Sequence, residues 1–382
     1  MKRVDVAIVG AGPAGSSAAI FLARKGYAVT LIDKAQFPRE KLCGDFINPI
    51  NWPVFRTLGV EEKILSRPHQ KVTGFRLTSL SGEQAEAVLT GKNQGTGLGL
   101  RRFDLDQILL EKAASEGATV WQGSRIKKLT KDLNSWTLGV EHAGNLQQLR
   151  ASLLIGADGR NSWVAHQLGM AGQTPPARSV GSQLHFRSLQ PSNGKIEIHL
   201  FPGGYAGIVG LGDGTFTLGF AIEKSRLQGQ SPQEALDSSL GLNPYLRAFL
   251  CRSDMTGAIR STYPVYFPPR RPCGDGVLLI GDAARVSEPV TGEGIYFAMK
   301  SGELAARAID QAFCQSAFSA RHLRVYEHEC RAAFATRRRI NTLIRWLIYR
   351  PALLSPLIRL SNKRTRLLDS IVHLVCQPEV AG

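Results

Sequence analysis

Three glycines, Gly10, Gly12 and Gly15, stand in G-x-G-x-x-G spacing directly after the apolar run Val4–Val9, and an acid, Asp33, ends a second apolar run, Val29–Ile32. Each residue type has a use around a diphosphate. Gly10 allows a tight turn, Gly12 lets phosphate oxygens approach the backbone, and Gly15 lets the next helix pack closely on the strand. That helix is read from Ala14 to Lys25, with Gly26 as its stop. Its free N–H groups and positive dipole end face the phosphates. Asp33 lies where adenosine ribose hydroxyls are held. Strand, glycines, helix, second strand and acid occur in register, so a nucleotide site is expected rather than a structural glycine turn.

A second strand–acid–glycine–helix unit lies near the other end of the chain. Val277–Ile280 reads as a buried strand, Gly281 and Asp282 end it, and Pro289 with Gly292-Glu293-Gly294 opens a helix rich in small residues, read as Ile295–Ala308. A nicotinamide cofactor held at one site has no use for this second phosphate-facing helix start. A flavin does: its ribityl hydroxyls suit Asp282, and its ring can lie against the backbone from Gly292 to Gly294. The late unit is therefore expected to complete the site that the early unit begins. The expected cofactor is FAD, held non-covalently, because no histidine or cysteine linkage motif is evident near Asp33.

On these residues the chain resembles the flavoprotein monooxygenase superfamily that includes p-hydroxybenzoate hydroxylase. Besides the first glycines, "LLIGADGRNSWVAHQLGM" is similar to its DG motif at Asp158-Gly159, with Arg160 and Ser162 behind it, and "GDAA" at Gly281–Ala284 is similar to its GD motif. Within the superfamily the chain looks closest to the geranylgeranyl-reductase-like branch. The carriers are "FPREKLCGDFINP", the helix start with Arg102, Leu105 and Asp106, and the GxGI form at Gly292–Ile295. The resemblance covers roughly residues 1–310. It implies that FAD is held by Gly10, Gly12, Ala14, Gly15, Asp33, Lys34, Arg39, Cys43, Arg102, Asp158, Gly281, Asp282, Pro289, Gly292, Gly294 and Ile295. NADPH or NADH is the implied electron donor, bound transiently, since no second Rossmann unit is present. One departure concerns the substrate. That branch carries P-x-x-Y-x-W-x-F-P; here Pro202 and Tyr205 match, while Gly207, Val209 and Gly210 replace Trp, Phe and Pro. The W-x-W-x-I-P segment of flavin halogenases is absent.

Cys43, Asp45, Tyr205 and Glu293 are the candidate catalytic residues, with His199 as a further residue of interest. A hydroxylase needs a dry pocket and, for a phenol, a base. An ene-reductase needs a proton donor opposite the hydride, and Cys43 or Tyr205 could serve. Each also has a plainer use: Cys43 in packing near the ring, Tyr205 as a pocket wall, Glu293 as a helix-start acid, His199 as a solvent-facing strand residue. Three functions compete. The first, which the missing Trp wall and the intact DG motif favour, is an NAD(P)H-driven FAD monooxygenase acting on a bulky, partly apolar substrate. The second is an FAD-dependent reductase of C=C bonds in an isoprenoid or other lipid. The third is a non-enzymatic prenyl- or lipid-binding escort, against which the intact motifs argue.

These residues need a scaffold to bring them together. The expected fold class is α/β: a Rossmann-type FAD-binding domain interleaved with a mostly antiparallel-sheet substrate domain, plus a helical C-terminal segment. The FAD-binding domain takes 1–70, 96–172 and 260–330; the substrate domain takes 71–95 and 173–259; the basic helical segment is 331–382. In the substrate domain Ile196, Ile198 and Leu200 alternate with Glu197, His199 and Phe201, as in a strand, and "GDG" at 212–214 reads as a hairpin turn. The length of 382 residues favours more than one domain. The six scattered cysteines, without a CxxC pair, suit a reduced, cytoplasmic protein with no structural metal. The chain enters a strand at once, so a signal peptide is not expected.

The net charge is +16, and ten Lys/Arg with no Asp or Glu lie between Arg331 and Arg366. That tail also repeats at 14 residues: Arg350-x-x-Leu-Leu-x-x-Leu-Ile-x-Leu360 aligns with Arg364-x-x-Leu-Leu-x-x-Ile-Val-x-Leu374. Two short amphipathic helices are expected. They either cap the substrate domain or make peripheral contact with an anionic membrane or an acidic carrier. Nucleic acid is not expected as a partner, and the protein is expected to work as a monomer on a bulky small-molecule or carrier-bound substrate.

Overall fold

The computed structural model describes residues 1–89, 96–172, 179–188, 190, 192–227, 229–235, 237–238, 241–255, 257–286, 288–363 and 366–376. Two large sheets organise it. The first runs in the order Cys273–Gly274, Val277–Leu279, Asn145–Gly156, Lys2–Val9, Val29–Ile32, Thr119–Trp121. Its centre is parallel: Lys2–Val9 lies between Asn145–Gly156 and Val29–Ile32. Val6 to Val9 and Leu153 to Ile155 are buried, as expected for parallel strands covered on both faces.

The first helix, Pro13–Arg24, packs against the late helix, Gly294–Cys314. The small residues of the late helix are explained by this crossing. A Cβ on Gly302 would stand 2.6 Å from the Ala14 carbonyl oxygen, and the Ser17 hydroxyl donates to the Met299 carbonyl at 2.8 Å. The late helix extends past the expected end at Ala308, because Ile309 and Ala312 continue its buried face.

The second sheet runs Ser253–Asp254, Ser179–Ser188, Thr215–Glu223, Gly204–Gly210, Lys195–Phe201, Gly74–Thr78, Gln84–Val88. It is antiparallel except where Lys195–Phe201 meets Gly74–Thr78. Positions 212–214 do form the turn between two of its strands, with Gly212 and Gly214 at positive φ. One expectation fails here. His199 is fully buried rather than solvent-facing, because both faces of its strand are covered. Phe201, on the His199 side, packs with Leu246 of the helix Pro244–Leu250. Leu200, on the other side, packs with Ile348 and Ile358 of the tail.

The tail helices are Ala335–Ile348, Pro351–Lys363 and Arg366–Cys376, preceded by Ala320–Ala333. The last two occupy the stretch of the 14-residue repeat; its Arg364 lies outside the described residues. Val372 and Val375 pack with Phe75 and Ile196 of the second sheet. Among the described residues no helix is long and apolar enough to cross a membrane, and no cluster of side chains could hold a metal ion.

Candidate active site

A cavity of about 810 Å³ lies where the two sheets face each other, and both the early and the late glycine units open onto it. The first and third glycines are fixed by packing. Gly10 has φ +104°, and a Cβ there would stand 2.3 Å from the Ala157 carbonyl oxygen; a Cβ on Gly15 would stand 1.8 Å from that of Gly10. Gly12 differs: its backbone is extended, and the nearest atom to an added Cβ is Arg39 Nη2 at 3.5 Å. The middle glycine therefore keeps space open on the cavity rather than serving the fold.

Asp33 accepts from the backbone N–H groups of Ala11 at 2.8 Å and Ala35 at 2.9 Å, which pins its carboxylate at the cavity wall beside Lys34. Arg39 and Arg102 meet at the fully buried Asp106. Arg102 binds it with Nε–Oδ1 at 2.7 Å and Nη2–Oδ2 at 2.8 Å, and Arg39 Nη1 lies 3.1 Å from Oδ2. Burial works against the Arg102 charge, but Asp106 outweighs it and raises the pKa. Asp158 is pushed up by burial, opposed by the Ser162 hydroxyl and the Val164 N–H, which donates to Oδ2 at 3.1 Å. Its other oxygen, Oδ1, is buried without a hydrogen-bond partner. Asp282 stays partly exposed, 3.8 Å from Arg160 Nη2, too far for a hydrogen bond. Gly281 N–H donates to Ser301 Oγ at 2.9 Å, which ties the GD turn to the late helix. Pro289, Gly292, Gly294, Ile295 and, from the first helix, Ala14 complete the lining.

These residues fit FAD. The buried Asp158 Oδ1 lacks a donor, the cavity wall at Gly12 is bare backbone, and two helices start at the cavity with first-turn N–H groups that no helical carbonyl can take. The surrounding cations Lys34, Arg39, Lys41, Arg102 and Arg160 suit a diphosphate. Lys41 lies inside the segment FPREKLCGDFINP but is not among the residues named from it. Burial, then Arg102 and Arg39, lowers its pKa, and an arriving anion would relieve that repulsion.

The catalytic candidates divide. Cys43 lines the cavity, and its N–H donates to Gln183 Oε1 at 3.1 Å. Burial and then the Asp45 charge push its thiol up, so it stays protonated near neutral pH. Asp45 does not line the cavity. It is 1 % exposed, with φ +53°, and its Oδ2 accepts from Thr217 Oγ1 at 2.8 Å and Gln183 Nε2 at 3.0 Å, with His185 Nε2 at 2.7 Å. Asp45 thus positions the Cys43 segment instead of meeting substrate. Glu293 is likewise displaced from the expected role. It is buried off the cavity wall and paired with Arg337 at 2.8 Å, which fastens the start of the late helix to the tail. Burial raises its pKa, and Arg337 opposes the rise.

Tyr205 does line the cavity. Its hydroxyl donates to Glu288 Oε1 at 2.8 Å, and the Tyr349 hydroxyl reaches the same oxygen at 3.3 Å. Burial, with the neighbouring carboxyl, raises both tyrosines, and burial raises Glu288. Sequence reasoning missed Glu288 and Tyr349: they come from a loop and from the turn between two tail helices, and only the fold brings them to Tyr205. His199 is not part of this group. Its Nδ1 lies 2.8 Å from Thr78 Oγ1, and burial pushes its pKa down to about 3, so it is a neutral structural residue near pH 7.

A family model described as FAD binding domain matches residues 3–203, more than half of the chain, and the chain belongs to this p-hydroxybenzoate hydroxylase-like family. It is 27% identical over 351 residues to digeranylgeranylglycerophospholipid reductase 1 of Methanococcoides burtonii, covering 90% of this chain and 83% of the relative. It is 29% identical over 360 residues to menaquinone reductase of Mycolicibacterium smegmatis, covering 90% and 85%. In fold it resembles the geranylgeranyl bacteriochlorophyll reductase-like protein of Thermoplasma acidophilum, with TM-score 0.79, 21% identity and coverage of 99% and 97%. It also resembles the flavin-dependent brominase Bmp2, with TM-score 0.81, 24% identity and coverage of 98% and 93%. The protein is an FAD-dependent oxidoreductase.

Proposed function

We propose that this oxidoreductase reduces C=C bonds in an apolar, isoprenoid-type chain, with NADPH or NADH as the electron source. The observation that carries the reading is the chemistry of the cavity wall. Ile196, Ile198, Ile208, Phe220 and Val290 make it apolar, and the groups set into it, the Cys43 thiol and the Tyr205 hydroxyl, are held protonated. Neutral acids can give a proton to carbon, whereas a phenol hydroxylase requires a base. The reductases among the relatives support the same choice.

When bound and reduced, the flavin supplies the hydride. The rest falls to the chain's own residues. Tyr205 protonates the second carbon, and Glu288, whose Oε1 lies 2.8 Å from the Tyr205 hydroxyl, relays a solvent proton to replace the one lost. Gly207 has no neighbour closer than 3.9 Å to an added Cβ, so the wall at the missing Trp position is wide enough for a thick or substituted chain.

The test uses a polyprenyl lipid, dithionite-reduced holoprotein and mass spectrometry. Gain of two hydrogens is the expected product, both as deuterium when the reaction is run in D₂O, because dithionite gives electrons only and the reduced flavin draws its transferable hydrogen from solvent. Incorporation of an oxygen atom from labelled O₂, which requires aerobic NADPH-driven turnover, would establish the monooxygenase reading instead.

A further inference from the structure

We infer that the outer face of the three tail helices is a docking surface for an anionic lipid bilayer. Seven large apolar side chains stand there, each between 40 and 58 % exposed: Leu343, Trp346, Leu353, Leu357, Leu360, Ile371 and Leu374. Their spacing within each helix is three or four residues, which places them on a common face of that helix. This face is not a misplaced core. The opposite sides already bury Ile348, Ile358, Val372 and Val375 against the second sheet. Single exposed leucines are ordinary on a protein surface, but a patch of this kind marks an interaction site.

The surrounding charge selects the occupant. Arg338, Arg339, Arg345 and Arg350 lie on the helix that carries Leu343 and Trp346, or just past its end, and all keep some exposure. The Arg350 guanidinium lies 4.5 Å from the centre of the Trp346 ring, and Arg345 lies 3.8 Å from that of Tyr266. Trp beside Arg, above a row of Leu, is the arrangement that suits a headgroup boundary: rings at the interface, apolar tips below, guanidinium groups on the phosphates. Carboxylates are sparse. Arg359 and Arg331 are paired with Glu83 and Glu327, and Asp369 accepts from the Val88 N–H. A soluble acidic partner would satisfy the arginines but leave the leucine row unexplained.

The position of the face adds a reason. The same helices pack behind the cavity wall at Tyr205: Tyr349, in the turn between two of them, hydrogen-bonds the Glu288 that holds Tyr205, and Ile348 and Ile358 pack in one cluster with Tyr205. An apolar substrate drawn from a bilayer would leave the lipid next to the part of the cavity that accepts it. Binding of the face to lipid does not require the proposed reaction, so failure of one leaves the other standing.

Full-length holoprotein is floated with phosphatidylserine–phosphatidylcholine vesicles and with phosphatidylcholine vesicles alone, at low and high salt. We expect capture by the anionic vesicles only, falling at least about ten-fold in ~0.5 M salt, where the Debye length is under about 5 Å. The double substitution Trp346→Ser with Leu353→Ser should lower capture by about ten-fold or more, as should Arg338→Glu with Arg339→Glu. Unchanged flavin absorbance and melting temperature show that these surface variants fold. Equal capture by both vesicle types, capture by neither, or capture indifferent to both variants overturns the proposal. So does a concentration-dependent dimer that the Trp346→Ser, Leu353→Ser variant abolishes while vesicle capture is absent, because the face would then belong to a second copy.

Discussion

The two ends of the cavity handle buried polarity in opposite ways. At the cofactor end Asp33 and Asp158 are held by neighbours in sequence or by main chain: Asp33 by the Ala11 and Ala35 N–H groups, Asp158 by Ser162 and Val164. At the sheet end they are held by side chains brought from far along the chain: Tyr205 by Glu288 and Tyr349, Asp45 by Gln183, His185 and Thr217. The first design leaves an acceptor, Asp158 Oδ1, for a ligand to satisfy. The second sets each acid against several donors or hydroxyls from the protein itself. A change at the cofactor end should therefore act on ligand affinity, and a change at the sheet end on turnover or stability.

The strongest test of that contrast sets two neighbouring glycines against each other. Gly12→Val should give a folded, colourless protein. Its backbone is extended, an added Cβ meets only the flexible end of Arg39, and the branched side chain projects into the diphosphate space. Gly15→Ala should instead fail to accumulate as folded protein, since its Cβ would overlap the Gly10 carbonyl oxygen at 1.8 Å. Far-ultraviolet dichroism with FAD titration separates the two. Yellow Gly12→Val protein at wild-type FAD affinity would break the assignment of the open glycine to the cofactor.

At the other end, Tyr205→Phe should keep FAD and the fold but lower turnover by about 100-fold, the low end of what a positioned acid contributes. Glu288→Gln should lower it less, because Tyr205 remains but its proton is replaced more slowly. Cys43→Ser should have a smaller effect still if Tyr205 is the donor. Single-turnover rates under anaerobic conditions measure all three. A larger loss for Cys43→Ser than for Tyr205→Phe would transfer the proton to the thiol.

This contrast also explains what could be read from the sequence. Glycine spacing, the strand Val29–Ile32, the acid after it and the hairpin at 212–214 are local features, and local sterics and turn chemistry fix them. The two-sheet arrangement was legible from alternation and from the order of the motifs. Asp45 and Glu293, candidates in the sequence, lie buried off the cavity wall. Their partners, His185 and Arg337, carry no local signal. For the same reason His199 looked solvent-facing: alternation shows that a strand has two sides, but not that the helix Pro244–Leu250 covers the second one.

A smaller effect is expected at Asp282. Asp282→Ala should weaken FAD by about 10-fold, near the lower bound for a charge-assisted hydrogen bond of roughly 1.5–3 kcal/mol. Arg160, 3.8 Å away, is the reason for choosing the lower bound: losing the carboxylate frees that guanidinium to bind the cofactor's own oxygens. Titration of the apoprotein with FAD reads the change. An unchanged affinity would move Asp282 from the cofactor to the architecture of the GD turn.

The effect near neutral pH is smallest at His199, where it tests whether the sheet end acts on stability. In the unfolded chain a histidine takes up a proton near pH 6.5, whereas burial holds His199 neutral down to about 3. Above pH ~6.5 both states are neutral and the residue contributes nothing to the pH dependence. As pH falls below ~6.5 the unfolded state alone binds a proton, so stability drops by about 1 kcal/mol near pH 6 and about 2 kcal/mol near pH 5. His199→Asn keeps a polar partner for Thr78 Oγ1, now 2.8 Å from Nδ1, but cannot titrate. Urea unfolding of both proteins between about pH 7 and 5 isolates the term, since every other group is shared. The variant should be less stable near pH 7 and show a shallower acid slope than the parent. Parallel slopes would mean that water reaches His199 and that the second face of its strand is open, so that the sheet end would not act on stability through this residue.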